Sequence, residues 1–247
     1  MVLTFFFFSF CLVAVGMIAK TARDAYFLSR FEKSILPLMF LAVAVIIAPT
    51  LTYYTKLTNK FSPRKLFIIM SSIFTVSFIL IQPLISGFVI PVVYIWVEIV
   101  VAISLMQFWG FASSSFEPQQ AKRLFGIIGG GGSFAVMLIG MNLKPFVNVF
   151  GTDELLFVAA GFLVIASVFG IQSIQYFNKI PAKKGAAKKV SKKKKRKKDP
   201  FIIGIGTIVA LSAIVTMLVD YQFKMIASSA FPNEADLVAF FGSFYSI

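Results

Sequence analysis

Seven long apolar runs, separated by short polar connections, leave this chain few ways to fold. They extend approximately over residues 2–19, 36–54, 66–85, 89–111, 124–147, 155–176 and 201–219. A helix of about 20 apolar residues crosses the hydrocarbon core of a bilayer. Because backbone groups in lipid must be hydrogen-bonded within the protein, we expect seven transmembrane helices and an all-α polytopic membrane protein.

The composition supports a membrane protein and excludes an ordinary soluble enzyme. Apolar residues make up 58% of the 247 residues and charged residues 14%, against about 45–50% and about 25% in soluble domains. The chain has no histidine, and its single cysteine, Cys11, lies in the first apolar run. Zinc sites with histidine ligands, histidine-based triads and a disulfide framework are therefore excluded. We predict no enzyme activity, no catalytic residue, no metal site and no cofactor.

Both ends of the sequence are apolar. Residues 237–247 form only about half a span, so we expect further C-terminal helices to be missing from this sequence. The first run could be a secretory signal peptide, but no basic segment precedes it and it continues into a charged helix end. We interpret it as the first transmembrane helix.

Basic residues are distributed unevenly among the connections and predict the orientation. The connections after helices 2, 4 and 6 hold 18 Lys and Arg residues, and the others hold six. Basic connections are retained in the cytoplasm. Residues 179–199 hold 12 of the 18 and contribute +11 to the net charge of +14. We therefore expect the N-terminus and the helix 6–7 loop in the cytoplasm, and the bundle in the plasma (inner) membrane.

Six helices followed by a long basic linker are typical of the first half of a twelve-helix major-facilitator-type transporter. We predict an N-terminal six-helix transmembrane bundle over residues 1–178 and a polybasic cytoplasmic linker over residues 179–200. Residues 201–247 are then the first helix and following segment of a C-terminal bundle.

Charged residues within or beside the apolar runs are costly in a bilayer, so each needs a partner or a function. Lys20, Arg23 and Asp24 follow the first run at helical spacing, and Lys20 and Asp24 are four apart and can pair. Such a cluster either ends a helix at the membrane interface or lines a cavity. Glu98 lies in the middle of residues 89–111 and must be neutral, paired or exposed to water. It can form an internal ion pair, take part in substrate or proton transfer, or do both.

A second charged turn, Asp220 and Lys224, follows the seventh apolar run. The two residues are four apart and can pair on one helix face. Charges therefore recur in the first helix of each predicted half. This repetition fits an inverted or parallel structural repeat with a binding site on its pseudosymmetry axis.

Two further stretches look like ligand motifs but favour simpler interpretations. Residues 126–133, GIIGGGGS, lack the Lys that follows the last Gly of a Walker phosphate loop. We expect close helix packing through Gly126 and Gly130 instead. The basic run of residues 192–198 could be a nuclear signal or a nucleic-acid arm. Beside a membrane helix we interpret it as a solvated loop attracted to anionic lipid, and we predict no nucleic-acid partner.

Three stretches, in order along the chain, form a recognisable set. The first stretch is KTARD at residues 20–24 with YTKLTN at 54–59. The second is Glu98 with FWGFA at 108–112 and AKR at 121–123. The third is LVD at 218–220 with Lys224, AFPNE at 230–234 and AFFG at 239–242. The set resembles the ATP/ADP translocase family of nucleotide transporters, which occurs in plastids and obligate intracellular bacteria.

The resemblance implies that charged residues of helices 1, 4 and 7 contribute to nucleotide transport. Glu98 matches the family's helix-4 glutamate. Arg23 stands where the family has Lys, so a planar guanidinium takes the place of a flexible ammonium group. Asp220 stands where the family has the longer Glu.

The main hypothesis is a secondary membrane transporter that exchanges ATP for ADP by alternating access between two six-helix halves. In the empty carrier, acidic residues hold the cations that later bind phosphate. The candidate substrate-binding residues are Lys20, Arg23, Asp24, Glu98, Asp220 and Lys224. The alternatives are a proton-coupled major-facilitator carrier of another metabolite, with Glu98 as the coupling group, and a non-transporting membrane module of a larger multidomain protein.

Overall fold

The computed structural model describes residues 1–85, 87–177 and 200–246, and every regular element among them is helical. The long helices are α1 (Val2–Arg30), α2 (Leu36–Thr58), α3 (Pro63–Ile81), α4 (Val89–Ser115), α5 (Pro118–Phe150), α6 (Leu155–Phe177) and α7 (Pro200–Ala230), followed by the shorter α8 (Glu234–Tyr245). Single 3₁₀ turns at Lys33–Ile35 and Gln82–Leu84 precede α2 and follow α3. The predicted linker, residues 179–200, lies outside the described residues except for Pro200.

The prediction of seven spans and of an all-α membrane protein is confirmed. Among the described residues, seven helices are long and apolar enough to cross a membrane, and they coincide with the seven apolar runs. Helix α1 extends furthest beyond its run, to Arg30, whereas α3 ends at Ile81, before the end of its run. Helix α8 begins at Glu234, with two acidic residues in its first turn, where the helix dipole favours negative charge.

Helix α1 is the centre of the bundle. It packs against α4, α5, α6 and α8, and it is the most buried of the seven spans. Around it, α3 packs on α6, α2 packs on α4, and α5 packs on α8. Phenylalanine side chains fill one end of this core, where the rings of Phe5 and Phe8 lie edge-on to Phe108 with centroids 6.3 and 5.3 Å apart.

Helix α1 does not end near residue 19 but continues to Arg30. Lys20, Arg23 and Asp24 therefore lie within a helix, and Arg23 and Asp24 are only 4% exposed. The interpretation of these residues as an interfacial helix end is wrong. The extra turns form because α1 is covered on several sides, so its charged residues find partners on neighbouring helices instead of needing water.

Glycine does mediate close packing of α5, but not at the predicted positions. A Cβ at Gly126 or Gly130 would meet no atom within 4 Å. At Gly131 it would collide with the backbone carbonyl of Phe6, and at Gly132 it would lie 2.9 Å from Val13. The α1–α5 contact therefore uses the neighbouring face of the Gly run, because α1 lies on that side of α5.

Helices α1 and α7 run in the same direction. Asp24 of α1 contacts Lys224 of α7, and Lys33, in the 3₁₀ turn that follows α1, contacts Ser229 of α7. Residue numbers thus increase together on the two sides of the contact.

Candidate functional site

Three helices bring all six predicted site residues into one cluster. Helix α1 supplies Lys20, Arg23 and Asp24, α4 supplies Glu98, and α7 supplies Asp220 and Lys224. We call this set the charge cluster. It contains three cations and three anions, so the cluster is formally neutral.

Ion pairs join the cluster into one alternating chain of charges. Glu98 Oε1 lies 3.1 Å from Lys20 Nζ and 2.7 Å from Arg23 Nη2. Arg23 Nε lies 3.3 Å from Asp24 Oδ1. Lys224 Nζ lies 3.0 Å from Asp24 Oδ2 and 2.8 Å from Asp220 Oδ2, and Asp220 is the last member of the chain. Each of the four inner members therefore has partners on both sides.

The pairing differs from the sequence prediction in one respect. Lys20 does not pair with Asp24, although the two are four apart on α1. It reaches Glu98 on α4, while Asp24 contacts Lys224 on α7. Both side chains lie on α1, but each is drawn to the oppositely charged group of a different neighbouring helix. The predicted pair of Asp220 and Lys224 is present.

Aromatic rings hold the two inner cations. The guanidinium carbon of Arg23 lies 4.1 Å from the ring centroid of Tyr94, and its Nη1 donates a hydrogen bond of 3.0 Å to the backbone carbonyl of Tyr94. Lys224 Nζ lies 5.4 Å from the ring centroid of Phe40. Cations are attracted to aromatic faces at these distances, and the attraction is stronger away from water. Arg23 is thus held by Glu98, Asp24 and Tyr94 at once.

Exposure increases from the middle of the cluster to its two ends. The side chains of Arg23, Asp24 and Lys224 are 5%, 5% and 3% exposed. Those of Lys20 and Asp220, the terminal members of the chain, are 40% and 36% exposed. A ligand can therefore reach one terminal cation and one terminal anion without first disrupting the buried pairs.

The charge cluster lies between two cavities. The larger, of about 510 Å³, is lined by all six charged residues together with apolar side chains of α1, α4 and α5 and Tyr245 of α8. The smaller, of about 290 Å³, is lined by Arg23, Glu98 and Asp220 as well as by Phe40 and Tyr94. Because Arg23, Glu98 and Asp220 line both cavities, the two cavities adjoin at the charge cluster.

Sequence reasoning missed the aromatic members of the site. Tyr94 precedes Glu98 by four residues on α4, so helical spacing alone could have placed it on the same face. Phe40 and Tyr245 lie far from the charged residues in sequence, and no local pattern indicates them. Only the packing of α2 and α8 brings these rings to the site.

A second polar cluster lies at the C-terminal end of α1. Arg30 Nη2 lies 3.2 Å from Glu234 Oε2 and 3.9 Å from Asp153 Oδ1. One turn earlier, the Tyr26 hydroxyl donates a hydrogen bond of 2.7 Å to the backbone carbonyl of Thr152. These contacts tie the end of α1 to the α5–α6 connection and to the start of α8.

Comparison with protein-family models, with curated proteins and with solved structures finds no match for this chain. Among the described residues, no group of three or more His, Cys, Asp or Glu side chains could hold a metal ion. The three carboxylates of the charge cluster are each paired with a cation instead.

Proposed function

We propose that this chain is the substrate-binding part of a secondary transporter that exchanges ATP for ADP by alternating access. The observation that carries the proposal is the charge cluster, a chain of six paired charges from three helices that lines a cavity inside the apolar bundle. Ionisable residues in such surroundings mark substrate or ion pathways. The cavity of about 510 Å³ lies within the range of about 300–1,000 Å³ that accommodates small-molecule ligands.

The alternating pairs suit a substrate that carries several negative charges. Phosphate oxygens can replace the carboxylates of Glu98 and Asp24 as partners of the cations Lys20, Arg23 and Lys224. Lys20 is the most exposed of the three and is the expected first contact. The freed carboxylates would then face the cavity, where water can solvate them.

The same pairs favour exchange over net transport. An empty cavity with an unpaired buried cation is costly, because removing one partner of a buried ion pair costs about 3–5 kcal/mol. The empty carrier therefore stays in its paired state, and a second nucleotide is needed to return the site to the opposite side. ATP leaving one side and ADP entering on the other satisfies this requirement.

The arrangement of helices agrees with a major-facilitator-type carrier. Helix α7 runs parallel to α1 with its charges at the same level, and α8 packs against α5. In this proposal residues 1–178 form the first bundle, and residues 201–247 begin the second. The choice of nucleotide as substrate depends on the resemblance to the ATP/ADP translocase family.

The proposed orientation has the N-terminus in the cytoplasm and the bundle in the plasma membrane. Lys20, Arg23 and Lys224 are paired with carboxylates of the charge cluster, so they do not count as charges that flank the spans. Without them, the bias of Lys and Arg toward the α2–α3 and α4–α5 connections is stronger. The anionic-lipid partner predicted for the basic run at residues 192–198 lies outside the described residues and stays a prediction.

Uptake of labelled ATP tests the proposal. Bacterial cells or vesicles that express the complete gene are assayed with and without internal ADP. We expect uptake that requires internal ADP and that falls at least tenfold in Arg23→Ala and in Glu98→Lys. The matched controls are Lys122→Ala and Glu117→Gln, which change exposed charges outside the charge cluster and should leave uptake within twofold of the unmodified protein.

Three results would contradict the proposal in different ways. Uptake driven by a proton gradient and indifferent to internal ADP would support a proton-coupled carrier. Unchanged uptake in Glu98→Lys, with the protein present in the membrane, would remove Glu98 from the mechanism. Absence of uptake by a correctly inserted protein would favour a different substrate or a non-transporting module.

A further inference from the structure

A separate groove lies between α2, α3 and α4, away from the charge cluster. It has a volume of about 270 Å³, and its lining includes Tyr54, Thr58, Gln107, Gly110 and Ser114. Thr58 is the last residue of α2, and Ser114 is the next-to-last residue of α4. The groove therefore lies at one end of these spans, where a bilayer places its polar headgroups.

Gln107 is the feature of this groove that needs an explanation. The residue is only 6% exposed, and its side-chain amide lies beside the Tyr54 hydroxyl. Its nitrogen is buried and has no acceptor in good hydrogen-bond geometry among the described residues. A buried donor without an acceptor costs about 1–3 kcal/mol. Because Gln107 lines the groove, a ligand with an acceptor oxygen in the groove would remove this cost.

Two hydroxyl groups that line the groove, those of Thr58 and Ser114, can accept hydrogen bonds from a ligand. Thr58 donates its hydroxyl proton to the carbonyl of Thr55 at 2.8 Å, and Ser114 donates to the carbonyl of Gly110 at 2.7 Å. Their oxygens keep lone pairs that can accept hydrogen bonds. The groove thus offers the Gln107 donor for an acidic oxygen and hydroxyl acceptors for the hydroxyl or ammonium groups of a headgroup.

The chain around the groove carries net positive charge: four cations lie near its α2–α3 side, and one acidic residue, Glu117, lies three residues beyond the groove-lining Ser114. Lys56, Lys60, Arg64 and Lys65 are all exposed and lie within a few residues of the groove-lining Thr58 and Leu66. Residues 33–97 contain no Asp or Glu. Basic residues near a membrane surface attract anionic lipid with about 1 kcal/mol each.

The groove is also open to the outer surface of the bundle. Gly110 lines it and is exposed, and Met106, another lining residue, is 38% exposed. A water-soluble anion would satisfy Gln107 but would leave this apolar surface uncovered. A phospholipid covers both parts, because its acyl chains lie along the apolar wall while its phosphate lies at the basic end.

We propose that the groove between α2, α3 and α4 binds the phosphate headgroup of an anionic phospholipid from the leaflet on the side of the α2–α3 connection. Gln107 donates to a phosphate oxygen, and Lys60 and Arg64 neutralise the phosphate charge at the rim. This proposal is independent of the transport proposal, since it uses none of the residues of the charge cluster.

Lipid titration of the complete protein in detergent tests this site. The delipidated protein is titrated with phosphatidylglycerol and, separately, with phosphatidylcholine of the same acyl chains, and bound lipid is counted by native mass spectrometry. We expect one phosphatidylglycerol to bind at least tenfold more tightly than phosphatidylcholine. Gln107→Leu and the double variant Lys60→Gln, Arg64→Gln should each weaken that binding about tenfold, as expected for a lost hydrogen bond or ion pair to a charged group.

Matched controls separate this site from general attraction to the surface. Gln172→Leu on α6 removes an exposed amide, and Lys122→Gln removes an exposed basic charge near the start of α5. Both should change the affinity less than twofold. If Gln107→Leu does not fold, Gln107→Glu keeps the size of the side chain and repels the phosphate, with the same expected loss.

Three results would overturn the proposal. Equal affinity for the two lipids, or equal weakening by the control variants, would mean that no specific headgroup site exists. Inorganic phosphate that displaces phosphatidylglycerol at low millimolar concentration would mean that the groove binds a free anion and not a lipid.

Discussion

Removing the charge of Lys224 while keeping the length of its side chain should strongly destabilise the bundle. Lys224 is 2% exposed, and its ammonium contacts carboxylates of α1 and α7 at 3.0 and 2.8 Å. In Lys224→Met, Asp24 keeps only Arg23 Nε at 3.3 Å, and the cluster changes from neutral to a net charge of −1. Breaking a buried pair in this way costs about 3–5 kcal/mol. Asp220 contributes less to this loss, because its side chain is 36% exposed and can be hydrated.

The assay is thermal unfolding in detergent, followed by the fluorescence of Trp96 and Trp109. For a chain of this size, each kcal/mol lowers Tm by roughly 2–4 °C, so Lys224→Met should lower Tm by about 6–20 °C. The double variant Lys224→Met, Asp24→Asn restores neutrality and should recover most of this loss. The double-mutant cycle should therefore give a coupling energy of about 2 kcal/mol or more.

An exposed ion pair provides the matched control. Arg30 and Asp153 lie 3.9 Å apart, with side chains 37% and 68% exposed. Exposed pairs contribute about 0–1 kcal/mol, so Asp153→Asn should shift Tm by no more than about 4 °C. The reasoning is refuted if Lys224→Met costs no more than Asp153→Asn, or if the double variant loses as much as its two single variants combined.

Three further substitutions test the packing and the polar contacts by the same melting assay. Gly131→Ala should destabilise the protein by about 1–3 kcal/mol, because the new Cβ meets the Phe6 backbone. Gly130→Ala has open space around it and should be neutral or stabilising by up to about 1 kcal/mol. Equal effects would contradict the assigned α1–α5 contact. Arg23→Lys should lower Tm although the charge is kept, because Arg23 reaches Asp24, Glu98 and the Tyr94 carbonyl from three different nitrogens, whereas Lys offers one. An unchanged Tm would mean that charge alone matters. Tyr26→Phe should cost about 1 kcal/mol for the lost hydrogen bond to Thr152, and a loss above 3 kcal/mol would point to an unrecognised role of the hydroxyl.

The spans and the list of charged residues were predictable because both are local properties. Hydrophobic length decides whether a segment can cross a bilayer, and that length is written in consecutive residues. The cost of a charge in an apolar segment likewise depends on its own neighbours, so Glu98 was identified without knowledge of its partner. Asp220 and Lys224 were paired correctly because both partners lie on one helix turn.

The ends of the helices and the partners of the charged residues could not be predicted from local sequence. The predicted end of the first span near residue 19 was wrong, because hydropathy falls at Lys20 while burial continues to Leu28. The Gly run was recognised as a packing surface, but its contacting face, Gly131 and Gly132, depends on where α1 lies.

What the sequence by itself determined is therefore an all-α membrane bundle with a small set of charges that need partners. What only the tertiary structure decided is which charges meet. Lys20 pairs with Glu98 and not with Asp24, and Asp24 pairs with Lys224 some 200 positions away. The physical reason is that hydrophobic burial depends on the composition of each segment, whereas an ion pair depends on the distance between two atoms. That distance is set by how α1, α4 and α7 pack against one another.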